Sequence, residues 1–198
     1  MIHYFEKGSN DKLMILFHGT GGDEYDLVPL AKMIDKDASI LSLRGNVSEG
    51  GMFRFFRRYP NGTFDYENID HEIKVISNFL KDTYQKYHID ELKKIGLGFS
   101  NGANMIQSII QEENGVFDSA ILLSPVYVND KKDFIDLKNL PIYLSTSQFD
   151  SFTTVDKTLK LEAALKEAHA KLKMVWHQNG HTIPQSVLKD LIIWYQEL

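Results

Sequence analysis

Residues 96–103 read GLGFSNGA, which sets one hydroxyl, that of Ser100, between Gly98 and Gly102 directly behind an apolar run. Two missing Cβ atoms suit a place where a strand reverses sharply into a helix, and such a turn lifts a serine Oγ where a substrate can reach it. The bland alternative is a glycine-rich turn whose serine only caps the helix. A serine is a poor nucleophile by itself. It needs a base, an acid to orient that base, and N–H donors for the oxyanion that forms when a carbonyl is attacked.

Seven histidines compete for the role of base. His71, His88 and His169 fall on or beside expected helices, and His3 and His177 on expected strands, where packing or surface roles account for them. His181 stands apart in QNGH, after the last strand, where Gly180 lets the chain turn the imidazole back toward Ser100. For the acid, the filter is which end of a strand each carboxylate follows, because catalytic groups gather at the carboxyl ends of parallel strands. Asp118 precedes its strand and fails, whereas Asp150 follows PIYLSTS at the correct end. Asp130 is the second choice, with Asp133 and Asp136 behind it.

A second glycine-rich segment, HGTGGDE at 18–24, follows the apolar run LMILF. It can supply the backbone N–H of Thr20 to join that of Asn101 in an oxyanion hole. Neither a P-loop nor a dinucleotide-binding glycine pattern is present, so a nucleotide role is not expected. His18 is expected to hydrogen-bond within this loop, not to take part in chemistry.

These residues must be positioned by a scaffold, and the order of elements indicates which one. Short apolar runs near 2–6, 13–17, 39–43, 94–99, 119–124, 141–146 and 172–177 alternate with segments of helical spacing near 25–36, 68–87, 102–113, 155–169 and 184–197. That alternation predicts βαβ units around a mostly parallel sheet with helices on both faces. Ile69, Ile73, Ile76, Phe79, Leu80 and Tyr84 form one apolar stripe that should pack on the sheet. Asp23 and Pro184 are expected start signals for the first and last helices, and Gly115 a stop signal after the third.

The 198 residues are expected to form one domain, 1–198, since no Pro-, Ser- or Gly-rich linker interrupts them. No run approaches a membrane span and no secretory leader is visible, so a cytoplasmic protein is the expectation. The absence of cysteine removes disulfides, thiolate nucleophiles and thiolate metal sites, and no metal is expected. A net charge of −5 argues against a nucleic-acid partner.

The longest segment without periodicity, RGNVSEGGMFRFFRRYPNGTFDYE at 44–67, is a candidate functional loop. Its MFRFFRRY interleaves arginines with aromatics. If it walls a pocket, Phe53, Phe55 and Phe56 would contact substrate and the arginines would favour an anionic or phenolic group.

Taken together, LFHGTGGDE, GFSNGA, QFD and NGH resemble the phospholipase/carboxylesterase family of small α/β-hydrolases over essentially the whole chain. RGNVSEGGMFRFFRR at 44–58 resembles the bacterial carboxylesterase branch associated with hydroquinone resistance. The resemblance implies an α/β-hydrolase fold and a cofactor-free esterase acting on acyl or aryl esters through Ser100, Asp150 and His181, with Thr20 and Asn101 as oxyanion donors. The 198 residues leave little room for a large cap domain, so small esters are expected. Two other functions use the same groups or fold: hydrolysis of acyl-proteins or acyl-thioesters, and noncatalytic binding of a small molecule.

Overall fold

The computed structural model describes residues 1–198. In chain order the elements are β1 (His3–Glu6), β2 (Lys12–Phe17), α1 (Val28–Ile34), β3 (Ser39–Leu43), β4 (Val47–Glu49) and β5 (Met52–Arg54). They continue with α2 (Tyr66–Tyr87), β6 (Lys93–Phe99), α3 (Asn101–Glu112), β7 (Ser119–Leu123), β8 (Pro141–Ser147), α4 (Val155–Glu167), β9 (Lys171–His177) and α5 (Gln185–Gln196). Seven strands form the main sheet in the order β1-β3-β2-β6-β7-β8-β9, with β1 antiparallel to β3 and every other pair parallel. Every expected strand of that sheet is present.

The central strands are continuous apolar runs because both of their faces are covered. On β2, Leu13, Ile15 and Phe17 join a core built with α2, α3 and α4, while Met14 and Leu16 join one built with α1 and α5. The expected stripe on α2 packs into the first of these cores, with Ile73, Ile76 and Leu80 buried and Phe79 at its edge. Fully burying such a side chain contributes about 1.5–3 kcal/mol.

Two expectations are corrected. The first helix covers 28–34 instead of 25–36, and Asp23 does not cap it. Asp23 instead accepts the N–H of Tyr25 in a preceding turn, and Pro29 sets the helix start in its first turn. Within 44–67, the candidate functional loop, β4 and β5 pair as a hairpin across Gly50 and Gly51, both at positive φ (58° and 79°). Beyond it, Arg58 and Phe64 form an isolated antiparallel bridge.

Candidate active site

Ser100 follows β6 and precedes α3 with φ 52° and ψ −114°, a conformation that L residues rarely adopt. Its N–H donates to Leu123 O at 2.9 Å, and its carbonyl accepts the N–H of Asn104 at 2.9 Å, so the strained residue is anchored on both sides. The two glycines are explained by what a Cβ would strike. At Gly98 it would lie 2.6 Å from Ala103 N, and at Gly102 only 1.9 Å from Phe17 O. The strand and helix therefore approach too closely at this turn for any larger residue.

Asp150 and His181 come from the loops after β8 and β9. His181 Nδ1 lies 2.8 Å from Asp150 Oδ2, and the Asp150 side chain is 1% exposed. Because a carboxylate oxygen accepts, Nδ1 carries the proton and Nε2 is left with its lone pair. The other Asp150 oxygen accepts the N–H of Phe152 at 2.8 Å, and the rings of Phe99 and Phe152 flank the imidazole at centroid distances of 5.1 and 4.5 Å. Asp136 instead pairs with His169, and Asp118 accepts the N–H of Lys94 at the amino end of β6.

One residue that sequence inspection passed over joins the two loops. Ser147 Oγ accepts the N–H of Phe149 at 3.0 Å and that of Gly180 at 3.1 Å, which ties the acid's loop to the histidine's. Its signal was a serine at the end of a strand, next to a turn, which is too common to single out.

The 18–24 loop runs beside the elbow. Thr20 and Asn101 line a cavity of about 460 Å³ together with Ser100 and His181. The N–H of Thr20 has no acceptor in the protein, and that of Asn101 is among the first of its helix, which lack intrahelical acceptors. His18 has the structural role expected of it. Its Nδ1 donates to Gly19 O at 2.6 Å, its Nε2 accepts the N–H of Gly45 at 3.0 Å, and burial lowers its pKa. His177, buried at the end of β9, accepts the N–H of Asn179, and burial lowers its pKa as well.

The expected contacts of Phe53, Phe55 and Phe56 with substrate are corrected. Phe55 and Phe56 are 0% exposed and belong to the core, against Phe17 and Phe64 respectively. Phe53 lies under the Arg44 guanidinium at 4.8 Å, and its carbonyl accepts the N–H of Gly21. The physical reason is apolar burial: Phe55 and Phe56 leave water by packing in the core, and the buried side-chain oxygen of Asn101 satisfies the N–H of Phe55 at 2.8 Å there. The segment instead gives the cavity Arg54, Arg58 and Phe64.

Val126 and Tyr127 also line the cavity, on a segment held by amides of α3. Asn104 accepts the N–H of Val126, Gln107 bonds both Val126 and Val128, and Gln111 donates to Asn129 and Lys132. A stripe of amides at 104, 107 and 111 along a buried helix was the available signal. No three His, Asp or Glu side chains converge as a metal site would require, and no helix is long and apolar enough to cross a membrane.

No family model matches the chain. It is 32% identical over 197 residues to the Bacillus subtilis (strain 168) protein named "Putative hydrolase MhqD", covering 100% of this chain and 98% of that one. Among solved structures it resembles the Bacillus cereus carboxylesterase, with a TM-score of 0.94 at 32% identity over 98% of this chain and 93% of that one. It also resembles YahD, solved with malic acid, with a TM-score of 0.93 at 28% identity over 99% of this chain and 98% of that one. With this sheet order, a serine on a strained strand-to-helix turn and a full-length relative at that identity, the chain belongs to the phospholipase/carboxylesterase family of α/β-hydrolases.

Proposed function

We propose that the protein is a serine carboxylesterase that hydrolyses small esters through Ser100, His181 and Asp150. The observation that carries this reading is the Asp150–His181 contact at 2.8 Å, which leaves Nε2 as a base on the cavity that Ser100 also lines. Nε2 takes the Ser100 proton as Oγ bonds to the ester carbon, and the resulting oxyanion accepts from the N–H groups of Thr20 and Asn101. The tetrahedral species collapses when the carbon–oxygen bond to the alcohol breaks, and the alcohol leaves with the proton from Nε2. Water then attacks the acyl-enzyme, gives its proton to Nε2, and the acid departs as Ser100 Oγ takes that proton back. Asp150 remains ionised throughout and stabilises the imidazolium.

Substrate size follows from a cavity of about 460 Å³ walled by loops, which suits short acyl or aryl esters. The test is turnover of aryl acetates and butyrates by the wild type and by Ser100→Ala at matched folding. Hydrolysis that vanishes in the variant supports the reading, and hydrolysis that survives it places the chemistry elsewhere.

A further inference from the structure

The hairpin segment places two arginines on the cavity whose capacity as donors is barely used inside the protein. Arg54 lines the cavity with a side chain 15% exposed, and its one ion-pair partner is Glu49, 3.6 Å from Nη1. Its Nε is shielded from solvent and has no acceptor at all. Arg58 lines the same cavity and gives two of its N–H groups to a single oxygen, that of Gly62, at 3.3 and 3.0 Å. With five N–H groups on each guanidinium, most of this donor capacity awaits an acceptor. Lys157 adds a third cation, against one carboxylate on the lining, Asp26, in a chain of net charge −5.

We propose that this wall selects esters carrying a carboxylate in addition to the scissile bond, held by Arg54 and Arg58, which deepens the esterase reading and rests on it. A planar guanidinium matches a carboxylate by paired N–H donors, and in a partly desolvated cavity such bonds outweigh those to neutral groups. Burial and the nearby Arg54 charge both lower the pKa of Arg58, the mark of like charges left without a full counterion. Glu49 already engages part of Arg54 and Asp26 faces the same space, so the remaining positive charge suits a singly charged carboxylate better than a doubly charged phosphate.

The experiment compares kcat/KM for matched pairs at low salt. Monomethyl succinate is set against methyl isocaproate, and acetylglycolate against isobutyl acetate, so that an isopropyl group replaces the carboxylate on the acyl or the alcohol side. The expected result is a preference of about tenfold or more for the carboxylate in at least one pair, falling toward parity in Arg54→Gln/Arg58→Gln. In the wild type itself the preference also shrinks as sodium chloride is added, which needs no variant to fold. Equal or better turnover of the neutral member in both pairs overturns the proposal while leaving the esterase standing. Calorimetry of monomethyl succinate with Ser100→Ala separates the two ideas: binding without any wild-type turnover keeps the anion site and removes the esterase, and neither binding nor turnover removes both.

Discussion

The side-chain oxygen of Asn101 accepts the backbone N–H of Phe55 at 2.8 Å, joining the residue after the elbow serine to a segment 46 positions away. Both groups are buried, so Asn101→Ala strands a donor and should lower stability by about 1–3 kcal/mol. The backbone N–H of residue 101 survives the change. Turnover should nevertheless fall, because Phe53 of the same segment accepts the N–H of Gly21 beside Thr20. Urea unfolding and kcat measure the two effects; an unchanged urea midpoint would contradict this role for Asn101.

Gly102 faces backbone, not a side chain that can swing aside. A Cβ there would meet Phe17 O at 1.9 Å and His18 O at 2.7 Å, whereas one at Gly115 meets nothing within 4 Å. Gly102→Ala should therefore cost several kcal/mol or prevent folding, and Gly115→Ala only about 1 kcal/mol for its φ of 77°. Melting temperatures of the two variants make the comparison, and equal losses would contradict the close approach.

Ser147 Oγ bonds both loops that carry Asp150 and His181 but hydrogen-bonds neither of those side chains. Removing its hydroxyl should misplace the Asp150–His181 pair and lower kcat by about tenfold with little change in KM. Ser147→Thr, which keeps the hydroxyl, should recover part of the loss. A rise in KM at constant kcat would instead assign Ser147 to substrate binding.

Buried His18 is bonded as the neutral imidazole, since its Nε2 accepts the N–H of Gly45, and desolvation lowers its pKa. A histidine with a folded pKa below its unfolded value of about 6.5 contributes stability that is fully present above that pH and is lost as pH falls through the folded pKa. His177, lowered by burial too, acts with the same sign. Unfolding free energy should thus be flat just above pH ~6.5 and decline on acidification, with the His18 ring resonances titrating below that point in NMR. A His18 midpoint at or above ~6.5 would contradict the bonded geometry.

The parts of the fold visible in the sequence were those decided by local burial. Strands such as LMILF at 13–17 are apolar throughout because helices cover both sheet faces, and that shows in any window. Ser100, Asp150 and His181 were legible for a related reason: each follows a strand at the same sheet edge. What stayed hidden depended on pairings distant in sequence. MFRFFRRY has the same composition whether its phenylalanines wall a pocket or fill a core, and contacts with residues far along the chain, Phe17 and Asn101, distinguish the two. Which way Arg54 faces follows from the β4–β5 register, in which it pairs with Val47. The late start of α1 turns on Pro29 within an apolar spacing that begins earlier.

Intact mass after exposure to a fluorophosphonate reads whether Ser100 is an activated nucleophile. The wild type should gain the mass of one phosphonyl group, and Ser100→Ala, folded alike, should gain none. A folded wild type that takes up no label, or a variant that still labels, would rule out Ser100 as that nucleophile.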